Sequence, residues 1–478
     1  MKKIPDYTRT AASILFLLQV MFFVKISPVL AQDFGRHEAE VYVTAKASGN
    51  LMAREGNRAF EDLAQPDENY PTIILDGTKT FQTIVGFGGA FTDAAAKIFA
   101  ALSSDEKERF LKACFDSVAG SGYTLCRTTI NSCDYSDEMY TYDDVPGDTA
   151  LNNFSIAHEL KFRFPLIRRA EEVSGGKLKL FASPWSPPAW MKTNGNMLYG
   201  GRLKPEYYRA WADYFVKYLQ ACSKYEIPIW GITVQNEPMA VQVWESCVYT
   251  ADEEKDFVKT YLGPALQKNG SGDIRLMIWD HNRGIMYQRA GAAYEDPAAS
   301  KYIWGTAFHW YVGEHFDNVR MVHDAFPDKH LLFTEGSTAG SWEAGWQLAE
   351  NMINDLNNWA EGWVYWNLLL DQYGGPRHAG GLEGANIITA DSASGKVIFN
   401  PPFYYFEHFS KFVRPGARRI ACTSNDDELI ATAFINPDGR TSAIVFNRSE
   451  CEKNFQVWIS GRVIKRSLPA KGITTIVF

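Results

Sequence analysis

Eight short apolar runs, separated by helix-like stretches, constrain this chain more than any other feature. They read IVGFGGA (84–90), TLCRTTIN (124–131), LKLFASPW (178–185), IWGITVQN (229–236), IRLMIWDH (274–281), IWGTAFHW (303–310), HLLFTEGS (330–337) and GWVYWNLLL (362–370). Helix-like segments include 93–101, 104–116, 204–226, 251–268 and 342–359. Near-continuous apolar strands alternating with helices predict a parallel sheet covered on both faces. Eight such units predict an α/β fold, a closed (β/α)8 TIM barrel, with an open doubly wound sheet as the alternative. From about residue 400 the pattern changes to short strands broken by turns: ELIATAFIN, TSAIVFNRS, FQVWIS and ITTIVF, with the turn Asn436-Pro437-Asp438-Gly439 between the first two. This tail predicts an appended C-terminal antiparallel β-sandwich domain. The strand-like AEVYVTAKAS (39–48) is expected to return and complete it. The expected organisation is a signal peptide over 1–31, an N-terminal strand segment over 32–75 joining the sandwich, the catalytic barrel over 76–398 and the sandwich over 399–478.

The first 31 residues read as an export signal. Lys2, Lys3 and Arg9 form a basic start, residues 11–24 an apolar core, and Val29-Leu30-Ala31 a small-residue cleavage site before Gln32. The apolar run is shorter than the ~20 residues of a spanning helix and is ended by Lys25, which argues against a membrane anchor. A secreted or periplasmic protein without stable membrane insertion is expected. The formal charge of −8 argues against a nucleic-acid partner. Seven cysteines, at 114, 126, 133, 222, 247, 422 and 451, contain no Cys-x-x-Cys, so no zinc site is expected. No cofactor is implied, and oligomeric state is not legible.

Active residues of such barrels lie at the C-terminal ends of the strands. Run two ends near Asn131 and Asp134, run three at Trp185, run four at Asn236-Glu237, run six at His309-Trp310-Tyr311, run seven at Glu335, and run eight holds Trp366. Two glutamates across one mouth, among Trp, Tyr, Asn and His, suit glycosidic bond cleavage: one carboxyl protonates the leaving oxygen and the other attacks an oxocarbenium-like centre. Whichever of Glu237 and Glu335 is the acid is then expected to hold a proton, its pKa raised by the charge of the other. Several residues have plainer readings. Arg127 is as well explained by a buried barrel carboxylate as by substrate contact. Asp93 reads as a helix N-cap, and Trp342, Trp346 and Trp359 read as packing. The Gly86–Gly89 cluster lacks the third glycine and acidic partner of a dinucleotide loop.

Val234-Gln235-Asn236-Glu237-Pro238 resembles the acid/base motif of glycoside hydrolase family 30, the glucosylceramidase family. Gly86-Phe87-Gly88-Gly89-Ala90-Phe91-Thr92-Asp93, Ser132-Cys133-Asp134-Tyr135-Ser136, Ala182-Ser183-Pro184-Trp185, His309-Trp310-Tyr311, Phe333-Thr334-Glu335, Trp366-Asn367-Leu368 and the segment 403–415 continue the resemblance in order, over roughly 75–478. The resemblance implies Glu237 as general acid/base and Glu335 as nucleophile. It implies Asn236 on the sugar 2-hydroxyl, with Asp134, Trp185 and Trp366 around the ring. Arg127, Tyr311 and His309 would orient the carboxylates and the sugar. The chain departs from the lysosomal member in having no Cys before Cys114 and in carrying Ser337 two residues after Glu335. The expected partner is a carbohydrate substrate: a β-1,6-glucan or gluco-oligosaccharide first, with Trp244 and Trp310 stacking on further glucose units, and glucosylceramide second. A non-catalytic glycan-binding barrel would be expected to have lost a glutamate, and a xylan-cleaving relative would want basic residues at the mouth.

Overall fold

The computed structural model describes residues 38–381, 383–384 and 386–478; the expected signal peptide lies outside them. All eight runs are strands of one closed parallel barrel: Gly86–Phe91, Leu125–Ile130, Lys179–Pro184, Ile229–Thr233, Arg275–Asn282, Gly305–His309, His330–Glu335 and Gly362–Tyr365. The first strand carries the glycine cluster because its neighbours press on it. A Cβ on Gly88 would stand 2.1 Å from the Leu125 carbonyl, and one on Gly89 would stand 2.9 Å from the Tyr365 ring. Those glycines serve strand packing.

Inside the barrel, Leu125, Phe181, Met277, Ala307, Leu332 and Val364 form a separate buried cluster, one residue from each of six strands. Side chains two apart on a strand share a face. The next inward layer toward the C-terminal ends is therefore Arg127, Ser183, His309, Thr334 and Trp366. The fifth strand breaks the count. Trp279 and Asp280 both adopt left-handed φ, +74° and +47°, and the pairing register shifts beside them. This bulge puts Asp280, in place of Trp279, into the polar layer. An apolar plug thus supports a ring of polar side chains.

The remaining large sheet has ten strands. Glu38–Ala45 lies between Asn50–Ala59 and Ile473–Val477, and Thr72–Thr83 lies between Arg418–Ser424 and Lys453–Ile459. These strands make up the sandwich domain, so it draws on both sides of the barrel sequence. Helix Pro401–Ser410 joins the two parts. Phe406 packs edge-on to Phe87, Tyr123 and Tyr365 of the barrel. Two residues on, His408 Nδ1 lies 2.7 Å from Thr475 Oγ1 and its Nε2 3.0 Å from Thr44 Oγ1 in the sandwich.

Two expectations need correction. The helix Asp93–Ala101 is capped by Thr92, whose hydroxyl accepts from the Ala95 amide. Asp93 is instead buried, accepting from Ser136 Oγ at 2.6 Å, with His158 at 3.4 Å. Trp310 is buried edge-on against Phe333 and Trp363 and offers no open face for a glucose unit.

Candidate active site

At the C-terminal end of the barrel, Arg127 is the hub. Fully buried, it donates from Nη1 to Glu335 Oε2 at 2.6 Å and from Nη2 to Asp280 Oδ2 at 2.8 Å and Asn236 Oδ1 at 2.9 Å; Nε donates to Ser183 Oγ at 3.1 Å. Its plane lies 4.7 Å from the Trp185 ring. The plain reading of Arg127, a cation satisfying buried carboxylates, describes these bonds, and one of those carboxylates is Glu335.

Glu335, on the last residue of the seventh strand, has both oxygens engaged. Oε1 accepts from the Tyr311 hydroxyl at 2.9 Å. Tyr311 is 42 % exposed as a residue, with its hydroxyl end reaching into the site. Glu237 follows the fourth strand with φ +48°, its amide bonded to the Asp280 carbonyl. Its carboxylate is held loosely: Gln242 Nε2 at 3.4 Å, His309 Nδ1 at 3.5 Å and His281 Nε2 at 3.6 Å. One oxygen of each glutamate and a nitrogen of His309 all lie within 4.8 Å of one another, the spacing a small cation would also need.

Trp185 and Trp366 stack at 5.0 Å with 22° between planes, and Tyr135 stands edge-on to Trp366. Beside them, Asp134 Oδ1 and both amide atoms of Asn367 are buried without hydrogen-bond partners among the described residues. Buried polar atoms left so call for a partner such as a water, an ion or a ligand. Arg127, Asp134, Trp185, Asn236, Glu237, His309, Tyr311, Glu335 and Trp366 thus lie at the barrel mouth, and Trp310 does not.

The charges are interlocked. Burial works to raise the Glu237 carboxyl, but the close approach of His309 and the charges of His309 and His281 outweigh it and hold it below its ordinary value. That reverses the expectation that Glu335 raises it. Burial, aided by the Glu237 charge, lifts Glu335 above the usual range against the pull of His309 and Arg127. Burial disfavours charge on His309, yet Glu335, Asp280 and Glu237 overcome it and push the ring up to about 9. Burial lowers His281 to about 4. Burial and three neighbouring carboxylates raise Asp134 far above the carboxylate range.

Sequence reasoning missed Asp280, although it is the next-to-last residue of run five. It also missed the clasp over the mouth. His378, after the eighth strand, lies 3.1 Å from Glu245 Oε2 and 2.8 Å from the Ser136 carbonyl, and its amide donates to the Asp134 carbonyl. Glu245 also accepts from Ser132 Oγ. Three loops are tied together there, and nothing in local spacing announces it.

Two family models match the chain: the glycosyl hydrolase family 30 TIM-barrel domain over residues 84–413 and the family 30 beta sandwich domain over 416–476. A Caenorhabditis elegans protein named putative glucosylceramidase 3 is 33 % identical over 99 % of this chain and 94 % of its own length. SrfJ from Salmonella typhimurium superposes with a TM-score of 0.88 at 34 % identity, covering 92 % of this chain and 99 % of that one. The endo-β1,6-glucanase BT3312 does so with a TM-score of 0.83 at 31 % identity and the same coverages.

Proposed function

The chain belongs to glycosyl hydrolase family 30, and from that premise we propose that it cleaves β-glucosides with retention of configuration, Glu335 attacking the anomeric carbon and Glu237 serving as acid and then base. The observation that carries the reading is the unequal hold on two adjacent buried carboxylates. Glu335 is gripped at both oxygens by Arg127 and Tyr311, which suits a group that must present a fixed lone pair. Glu237 has no contact shorter than 3.4 Å to its carboxylate among the described residues, which suits a group that must pass a proton between oxygen atoms. Their closeness suits a covalent glycosyl-enzyme better than an intervening water. Trp185, Trp366, Asp134 and Asn236 hold the sugar whose bond is cut.

For the aglycone we favour an apolar group. Glu237 protonates the leaving oxygen, and the loop that follows it exposes apolar side chains. Met239, Val241 and Val243 there are 48 %, 66 % and 57 % exposed. A β-1,6-linked glucan, the preferred substrate on sequence grounds, is the second reading. It rests on Trp244, half-buried against the cluster that holds Trp185 and Trp366, now that Trp310 is core. Relatives carry both names, glucosylceramidase and endo-1,6-beta-D-glucanase. Export through a cleaved segment 1–31 is part of the proposal; no described helix is long and apolar enough to cross a membrane.

Glu335→Gln should abolish turnover. Glu237→Gln should still form the glycosyl-enzyme from a dinitrophenyl β-glucoside and be rescued by azide to a β-glucosyl azide. An α-glucosyl azide from Glu237→Gln, or equal rescue of both variants, would overturn the roles. For substrate, kcat/KM is compared on glucosylceramide and β-1,6-gluco-oligosaccharides. Val241→Ser with Val243→Ser should depress the first, and Trp244→Ala the second.

A further inference from the structure

The proton inventory of the reaction points to the residues behind Glu237. Asp280 is saturated: Oδ1 accepts from Thr334 Oγ1 at 2.6 Å and meets His309 Nε2 at 3.0 Å, while Oδ2 accepts from Arg127 and from Thr233 Oγ1 at 2.7 Å. An ionised carboxylate only accepts, so Nε2 of His309 must carry a hydrogen. That fixes the tautomer and leaves Nδ1 as the variable nitrogen. Nδ1 is buried, faces Glu237 Oε1 at 3.5 Å, and has no closer partner among the described residues. Around this ring stand Glu237, Asp280 and Glu335 as negative groups, the Tyr311 ring at 6.1 Å, His281, and the Arg127 cation beyond Asp280.

We propose that His309, oriented by Asp280, holds at Nδ1 the single proton that Glu237 delivers to the leaving oxygen. The proposal rests on the roles assigned above to Glu237 and Glu335. At rest the Glu237–His309 pair carries one proton, on Nδ1. As Glu335 forms its bond to the anomeric carbon and the bond to the leaving oxygen breaks, the proton passes from Nδ1 to Glu237 and on to that oxygen; the pair is then empty. In the second step water attacks the anomeric carbon, the ester bond to Glu335 breaks, and the water proton returns through Glu237 to Nδ1. Glu335 is the foremost of the charges favouring the charged ring. Its esterification removes that charge at the stage when the pair must be empty, so a neutral His309 leaves Glu237 a better base. His309 touches no sugar atom in this scheme; it acts through Glu237.

The test is nitrogen NMR of the histidine-labelled full chain at neutral pH, free and after trapping with a 2-deoxy-2-fluoro-β-glucoside. Mass spectrometry reports separately whether Glu335 carries the sugar; its absence there would sink the underlying roles, and this proposal with them. With the adduct present, His309 should change from an imidazolium to a neutral ring protonated at Nε2. The same state before and after trapping overturns the proposal. Independently, His309→Gln should lose roughly tenfold to a hundredfold more kcat/KM on an alkyl glucoside than on the dinitrophenyl one, with its basic limb moved to lower pH. Equal losses with unmoved limbs would leave His309 a packing residue.

Discussion

At the residue scale, Arg127 is where stability and catalysis meet. It is buried with two carboxylates, and removing it strands both. Arg127→Met should cost about 3–5 kcal/mol because Asp280 and Glu335 would remain buried without their cation. Arg127→Lys keeps the charge but not the fork that reaches Glu335, Asp280 and Asn236 together. It should unfold at a temperature nearer the wild type while losing kcat about a hundredfold or more. Parallel thermal melts and aryl-glucoside kinetics separate the two effects; a lysine variant with full activity would mean the fork is dispensable. Much of this site lay at run ends, Glu237, His309, Glu335 and Trp366 among them, while Arg127 lies inside its run and reaches the mouth by the same period-two alternation that buries Leu125 below it. Asp280 was not legible. Counting by twos from Met277 selects Trp279, and only the bulge reverses that choice.

At the scale of elements, the strands were read correctly because each is a buried apolar run. The errors fell where an exposed and a buried role share one residue type. Trp310 reads as a sugar platform until Phe333 and Trp363 are seen against it. Asp93 reads as a cap until Thr92 is found doing that work. The helix Pro401–Ser410 carries a prediction of its own. Burial pushes His408 down to about 3, between two threonine hydroxyls. The unfolded chain protonates histidine near ~6.5. Between those values the unfolded state binds more protons, so stability falls as pH drops from about 6.5 toward 3. His408→Gln should be somewhat less stable at pH 7.5, and its denaturation curve should converge on the wild type as the pH is lowered to 4. Curves that stay parallel would place the acid sensitivity elsewhere.

At the scale of the whole molecule, one helix joins the barrel to the sandwich, and the sandwich sheet draws its strands from both sides of the barrel sequence. Glu38–Ala45 buries Ala39, Val41 and Val43 and covers the edge of Ile473–Val477. A chain lacking residues 1–59 keeps every barrel strand yet exposes that edge together with Ile473 and Ile476. It should be recovered as a light-scattering, poorly soluble product. A monomeric, active truncated chain would show that the first two strands are ornamental. That same sheet also imposes an order in time. Glu38–Ala45 can pair at once with Asn50–Ala59, but its other partner, Ile473–Val477, lies more than four hundred residues downstream, so the early hairpin must wait with one edge open until that strand is made. Closure across such a separation is slow. The barrel can form first, and Ile473–Val477 then acts as the latch on the open edge of the early hairpin; a chain cut before that strand would leave the hairpin without its second neighbour.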